Sequence, residues 1–250
     1  MRLGAPAPPP SAEDSPPSWP PLLATRGLGS ASTTHSHHGM HLVLALDGAL
    51  TVETPDGSHR AAGVLTAPDV PHALDADGLE ILLVFLDPES SAGASLRPRD
   101  GVCTVDGMAR DRLVRDAEPM AIMSEPGVKW TRDVLVSLGL DPAPPRKLHP
   151  KVRQLLELLP SLTPEDDTSL ERLAAEVKLS PGRLMHAFTD SVGIPLRPYL
   201  AWLKVQRAAA AIVSGVSMTQ AAHAAGFSDA GHMTRSFRRM LGMTPSSLRP

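Results

Sequence analysis

The chain has 250 residues and a formal net charge of −3, a length sufficient for two domains that each bury a core. Its single cysteine excludes an internal disulfide, and the absence of any run of about 18 apolar residues excludes a membrane span and a membrane partner. Residues 150–250 hold twelve Lys and Arg against eight Asp and Glu, whereas residues 1–149 hold twelve against nineteen. We therefore expect a reducing, cytoplasmic setting and a polyanionic partner for the C-terminal part.

The N-terminal part predicts a tail followed by short strands. Residues 1–28 are rich in Pro, without a signal sequence, and are predicted to be a disordered tail. In residues 29–99, apolar bursts such as Met40–Leu46 and Leu79–Leu86 are separated by turn-forming residues. Short, regularly spaced strands of this kind predict a small antiparallel sandwich or barrel.

Residues 100–140 change to helical spacing. Arg110–Ala117 and Val128–Leu138 predict two helices, which would either form a dimer surface that couples the domains or pack on their own barrel. Residues 141–149 are rich in Pro and predict a linker before a domain at 150–250.

The C-terminal part predicts two helix-turn-helix units. The first has a short helix around Leu173 and a second helix that begins with Ser180 as N-cap and Pro181 at the first helical position. A similar pattern follows around Gly226, a glycine that suits the positive φ of the turn. Between the units, Leu196–Val213 predicts a helix of about 27 Å, which approaches the roughly 34 Å between successive major grooves.

Many positions of this region agree with one known family of regulators. They are Leu173-Ala174, Leu179-Ser180-Pro181, Leu184, Phe188, Gly193, Pro195, Tyr199-Leu200, Ala208, Gly226-Phe227-Ser228-Asp229, Phe237-Arg238-Arg239, Gly242, Thr244-Pro245 and Arg249. On these residues the chain resembles the AraC/XylS transcriptional regulators over about residues 150–250. Some positions depart from the family pattern: Lys178, where the family often has Gly, Ala221, where it favours Ile, and Met233, where it prefers an aromatic residue. Lys204-Val205 replaces the usual Arg-Leu of the connecting helix, which is a mild change.

The resemblance implies two recognition helices that contact DNA bases and a set of basic residues that contact phosphates. In the second recognition helix, Arg235 is the side chain able to form paired hydrogen bonds with guanine, so it is the strongest candidate for a base contact. The alternatives are that Met185 is a core residue, that His186 and His232 are ordinary exposed histidines, and that the arginines form a solvated face. The implied base-facing positions are Gly182, Met185 and His186, with Arg183 alongside, in the first recognition helix, and Ala230, Gly231, His232 and Arg235 in the second. The implied phosphate contacts are Lys204, Arg207, Arg238 and Arg239.

Histidines gather at the start of the barrel. His35, His37 and His41 would share one face of an uninterrupted strand, and together with His72 they could offer imidazoles to Zn²⁺ or a similar divalent metal. The stretch resembles the cupin metal motif, with His41 at its glutamate position. The alternative is a His-rich strand at the mouth of an effector pocket, and His38 and His59, which lie outside the pattern, are predicted at the surface.

Together these features predict an α+β protein: an all-β cupin-like barrel followed by an all-α domain with two helix-turn-helix units joined by a long helix. We expect a sequence-specific DNA-binding transcriptional regulator, not an enzyme, that responds to an effector through residues 100–150. Expected partners are operator DNA, a small-molecule effector, RNA polymerase and a second copy of the chain. Two alternatives stay open: a metal-dependent cupin enzyme, and a regulator for which the metal itself is the signal.

Overall fold

The structure is a computed structural model that describes residues 23–96, 98, 101–115, 117–140 and 148–248. Its first part is made of antiparallel strands arranged in two sheets. One sheet has the order β1-β7-β2-β5-β8 and the other has the order β4-β3-β6. The strands are β1 (Leu23–Leu28), β2 (Met40–Ala45), β3 (Leu50–Thr54), β4 (Gly57–Ala61), β5 (Gly63–Thr66), β6 (Ala73–Asp75), β7 (Glu80–Leu86) and β8 (Val102–Val105).

Helices make up most of the rest. Within the described residues, none of them is long and apolar enough to cross a membrane. They are α1 (Ser91–Leu96), α2 (Gly107–Val114), α3 (Pro119–Ile122), α4 (Glu125–Ser137), α5 (Pro150–Leu158), α6 (Leu170–Glu176), α7 (Pro181–Val192), α8 (Leu196–Val213), α9 (Met218–Ala224) and α10 (Ala230–Leu241), with 3-10 turns at Leu159–Ser161 and Pro245–Leu248.

The central strand β2 is buried on both faces because alternate side chains serve different cores. Leu42 and Leu44 face a core shared with Leu113 of α2 and Val134 of α4. Val43, between them, faces the barrel interior. Of the two options left open for residues 100–140, packing on their own barrel is confirmed by the contacts of Leu113 and Val134, while a dimer surface stays a prediction.

The first helix-turn-helix unit has a core of its own. Leu173 and Ala174 of α6 pack with Leu184 and Phe188 of α7, and α5 covers them. Ser180 caps α7 by accepting a hydrogen bond from the backbone N–H of Arg183, at 3.4 Å, as the sequence predicts. The small Ala174, which is fully buried, allows α6 and α7 to approach closely.

The second unit shares its core with the barrel. Met233 and Phe237 of α10 belong to the same buried cluster as Val43 and Phe85 of the barrel and Trp202 of α8. The barrel interior thus packs directly on α8 and α10, and Val102 and Met123 of residues 100–140 pack against the same cluster. Coupling through residues 100–140 stays a prediction, beside which the structure shows this direct contact.

Several predicted boundaries are corrected. The tail was predicted to reach residue 28, but Leu23–Leu28 form β1, which pairs with β7; residues 1–22 lie outside the described part. The barrel extends beyond residue 99, because Val102–Val105 pair with β5. Of the linker 141–149, residues 141–147 are not described, Leu148 is buried, and His149 caps α5 through its ring nitrogen.

Candidate DNA-binding surface and histidine cluster

Helix α7 presents the predicted recognition residues to solvent. Arg183, Met185 and His186 are all exposed, while Leu184 and Phe188 turn inward. The alternative that Met185 is a core residue is wrong, since 48% of its surface is exposed. A cation, an imidazole and a flexible apolar side chain are thus available on one outer surface of the first unit.

Helix α10 has the more basic outer surface. Gly231, His232, Arg235, Arg238 and Arg239 are exposed, and spacings of three and four residues place them on one side of the helix. Asp229 caps the helix by accepting a hydrogen bond from the N–H of His232 at 2.6 Å. Gly231 lies beside both the cap and the arginine: a Cβ there would be 3.0 Å from Oδ1 of Asp229 and 3.5 Å, an ordinary contact distance, from Nη1 of Arg235.

Two of the predicted phosphate contacts on α8 have internal partners. Lys204 Nζ donates to the carbonyl of Gly226 at 2.9 Å, which holds the turn of the second unit. Arg207 Nη2 donates to the carbonyl of Leu159 at 2.7 Å, at the end of α5. In this arrangement both side chains tie elements of the domain together, and their contact with phosphates stays a prediction.

The four predicted metal-binding histidines come together in the structure, but not along one strand. Strand β2 begins only at Met40, so His35 and His37 lie in the loop before it. Backbone hydrogen bonds of 2.9 Å in both directions join His35 to His72, and the N–H of Asp69 donates to the carbonyl of His37 at 2.8 Å. These bonds hold the two histidine-bearing loops side by side, with His41 at the start of the strand below them.

The ring nitrogens are arranged as in a ligand site. The Nδ1 atoms of His35, His37 and His72 lie 2.7, 2.7 and 2.8 Å from the carbonyl oxygens of residues two positions away. Hydrogen bonds of this kind fix the proton on Nδ1 and leave the Nε2 lone pair available. The Nε2 atoms of His37, His41 and His72 are buried and have no hydrogen-bond partner among the residues that the structure describes. One nitrogen each of His35, His37 and His72 lies within 4.8 Å of the others. His41 is not part of this close group, but its ring centre is 4.7 Å from that of His72.

Burial also keeps these imidazoles neutral. It lowers the pKa of His37 and His41 well below the usual 6.5, and it lowers the pKa of His72 to about 4. Neutral imidazole is the form that binds a metal ion. The residues present therefore fit a divalent transition metal, and the unpartnered Nε2 atoms are the observation that favours it.

His38 belongs to a different buried cluster, so its predicted surface position is wrong. Its Nδ1 lies 2.9 Å from Asp69 and its Nε2 lies 3.1 Å from Glu89. Although burial alone lowers its pKa, these two carboxylates raise the pKa of His38 to about 9. Tyr199 of α8 donates to the carboxylate of Asp87 at 3.3 Å, which links this cluster to the C-terminal domain. His59 is exposed on β4, as predicted.

A small cavity connects the histidine cluster to the C-terminal domain. Its volume is about 70 Å³, and it is lined by Phe85 and other barrel residues and by Leu241, Met243 and Leu248 after α10. Pockets for drug-sized ligands measure roughly 300–1,000 Å³. This cavity is therefore too small for a drug-sized ligand. A wider depression of about 340 Å³ lies between α2 and α4.

The contacts between the histidine cluster and the C-terminal domain could not be predicted from the sequence. The ring of His37 stacks on the Trp202 indole, with centres 5.4 Å apart and planes at 6°. Gly39 lies against the same indole so closely that a Cβ would collide with it. At the C-terminal end of α10, a Cβ on Gly242 would lie 2.5 Å from Nδ1 of His35.

Comparison with known proteins agrees with the two-part architecture. A family model described as a helix-turn-helix domain matches residues 173–250. The HTH-type transcriptional regulator RipA of Corynebacterium glutamicum is 34% identical over 106 residues, which is 42% of this chain and 32% of RipA. The chain thus spans about a third of the length of this curated relative. The predicted helix-turn-helix domain is confirmed.

Solved structures agree over almost the whole chain. An apo variant of ToxT from Vibrio cholerae has a TM-score of 0.60 at 10% identity, covering 90% of this chain and 95% of that one. ToxT with a bound unsaturated fatty acid has a TM-score of 0.55 at 10% identity, covering 90% and 92%. At this identity the likeness concerns the fold, and it confirms the predicted order of a β-rich part and a helical part.

Proposed function

We propose, from the premise that this chain is a transcriptional regulator of the AraC/XylS type, that it binds specific sites on double-stranded DNA in the cytoplasm through α7 and α10. The observation that carries the proposal is the exposed, basic side of α10, where Arg235, Arg238 and Arg239 lie together beyond a capped N-terminus. A helix with this character can enter a major groove and contact bases and phosphates at once.

The arginines along α10 are suited to different contacts with DNA. Arg235 lies closer to the N-terminus, beside Gly231, where recognition helices contact base edges. Its guanidinium can donate two parallel hydrogen bonds to O6 and N7 of guanine. Arg238 and Arg239 in the last turn are placed to neutralise phosphates, which fixes the register without reading sequence.

The barrel is proposed to be the sensory part, because its interior packs on the same helices that carry the DNA-binding surface. An effector that favours one arrangement of the barrel and α8 over another would shift the DNA affinity. ToxT, which shares the fold, has been solved with an unsaturated fatty acid. The cavity of about 70 Å³ here favours a smaller effector. A homodimer and a contact with RNA polymerase remain part of the proposal.

The alternative of a metal-dependent cupin enzyme receives less support. A hydrolytic or oxygenase site needs substrate space beside the metal and a general acid or base. The cavity beside the histidines is small, and the nearby carboxylates of Asp69 and Glu89 are occupied by His38. Catalytic turnover by the metal-loaded protein, without DNA affinity, would establish this alternative.

Genome-wide DNA capture followed by fluorescence-anisotropy titration of the enriched site tests the proposal. Arg235→Ala is expected to reduce discrimination at one base pair by roughly 1–3 kcal/mol. Arg239→Ala is expected to weaken binding to all sequences alike and to reduce the salt slope by about 1. Arg132→Ala, which removes an exposed arginine of α4, is the matched control and should leave both unchanged. If the wild type enriches no motif and fails to bind even at low salt, the proposal is wrong.

A further inference from the structure

We propose that His35, His37, His41 and His72 bind one divalent transition-metal ion, and that Trp202 and Gly242 transmit its presence to the DNA-binding helices. This inference rests on the proposed function, because its output is DNA affinity. It names the effector class for the barrel and the route by which the effector acts.

The unpartnered nitrogens are the first argument for the ion. A buried polar atom without a partner costs about 1–3 kcal/mol, and native structures hold few of them. In this cluster the Nε2 atoms of His37, His41 and His72 are all of this kind, while the Nδ1 atoms of His37 and His72 are engaged by the backbone. Without a ligand, three buried nitrogen atoms in one place would each carry this unfavourable free energy. One metal ion held by His35, His37 and His72 supplies a partner for two of these atoms. The His41 ring, whose centre lies 4.7 Å from that of His72, must move toward the ion to become its fourth ligand.

The donor set determines the class of metal. Imidazole nitrogen suits Zn²⁺, Co²⁺, Ni²⁺ and Cu²⁺, whereas Mg²⁺ and Ca²⁺ take oxygen ligands. Bonds of about 2.0–2.1 Å to a tetrahedral ion would bring the nitrogens to about 3.4 Å from one another. The nitrogens of His35, His37 and His72 lie within 4.8 Å. Binding is therefore expected to draw the rings together by an ångström or so.

Two of these rings contact the DNA-binding domain, so they cannot move without affecting it. His37 lies flat against Trp202, in the middle of the helix that joins the two units. His35 lies at Gly242, the left-handed residue that ends α10. A metal-bound imidazole also carries positive charge toward the face of the indole, which strengthens the stacking. The ion thus favours the arrangement in which the barrel is docked on α8 and α10.

Cobalt(II) added to the metal-stripped full chain tests the site itself. We expect one Co²⁺ per chain, with the visible absorption of nitrogen coordination, and quenching of tryptophan fluorescence. Quenching should be much reduced in Trp202→Phe, which leaves Trp19 and Trp130 in place. His37→Ala and His72→Ala should lose binding, whereas His59→Ala, which removes an exposed histidine of β4, should retain it. Binding that is absent, or unaffected by His37→Ala and His72→Ala, would overturn the site.

Transmission from the metal site to the DNA-binding helices is tested by measuring the affinity of the protein for its operator DNA, once with Zn²⁺ and once with a chelator. For the wild type we expect a difference of about fivefold or more, within the usual range of allosteric coupling. Trp202→Leu should still bind Co²⁺ but show less than about a twofold difference in DNA affinity. If Trp202→Leu does not fold, as judged by circular dichroism, Trp202→Phe serves instead and should give an intermediate difference.

The outcomes separate this inference from the proposed function. An undiminished Zn²⁺ effect in the folded Trp202 variants would overturn the transmission while leaving the site and the function in place. Equal wild-type affinity with Zn²⁺ and with chelator would also overturn it. Failure of the wild type to bind DNA in either state would refute the proposed function, and the Co²⁺ spectrum would still decide whether the metal site exists.

Discussion

The buried carboxyl group of Asp87, which Tyr199 contacts, should make the stability of the protein depend on pH. Burial, with the nearby charge of Glu89, raises the pKa of the Asp87 carboxyl far above its usual 3.8. At a pH between 3.8 and this raised pKa, Asp87 keeps its proton in the folded protein and releases it in the unfolded chain. The free energy of unfolding must then fall as pH rises, by about 1.4 kcal/mol per pH unit for one proton. Asp87→Asn, which is neutral at every pH, should remove this contribution.

Urea unfolding at pH 5.0, 5.5, 6.0 and 6.5, followed by circular dichroism, measures the effect. The quantity to compare is the slope of unfolding free energy against pH in wild type and in Asp87→Asn, since other groups contribute to both. His38 is protonated throughout this range in the folded state, because its pKa is raised to about 9. Asp56→Asn, at an exposed turn, is the control and should keep the wild-type slope. Equal slopes in wild type and Asp87→Asn would refute the reasoning.

Two further predictions concern the helix-turn-helix units. Lys178 has a φ of 58° at the turn of the first unit, a conformation that strains a residue with a Cβ. Lys178→Gly should therefore raise the unfolding free energy by up to about 1 kcal/mol, whereas the control Lys129→Gly in α4 should lower it by a similar amount. Phe237→Ala should lower it by about 3–5 kcal/mol because the ring is fully buried, whereas Met185→Ala at the exposed surface should change it by less than about 0.5 kcal/mol. Urea midpoints measure both pairs, and a destabilised Lys178→Gly or a destabilised Met185→Ala would contradict the respective assignment.

The helical part was predictable because its signals are local. The predicted limits of α8 agree with the structure, and Ser180 and Gly226 act as their chemistry indicates. Even the departure at Lys178 has a local explanation, since glycine in related sequences suits the positive φ that this turn requires. Short strands such as β4, with five largely exposed residues, lack an apolar pattern and were not predicted.

The site was predicted only in part, because its remaining features depend on contacts between distant segments. The four histidines were grouped correctly although the strand that was meant to align them begins later, since backbone bonds between the loops replace it. His38 was misplaced because its carboxylate partner Glu89 lies 51 residues away. Nothing near Trp202 in the sequence indicates that Gly39 leaves room for its ring.

The shared core has a consequence for how the chain unfolds. Buried residues of the barrel, of the C-terminal half of α8, and of α9 and α10 form one apolar cluster, whereas α5, α6, α7 and the start of α8 form another. The cooperative units therefore cut across the domain boundary drawn from sequence. A fragment that begins at residue 148 would carry its first unit intact, but it would expose Trp202, on which His37 and Phe85 of the barrel pack, to water. The second helix-turn-helix unit therefore depends for its stability on contacts with the barrel as well as on contacts within the C-terminal domain.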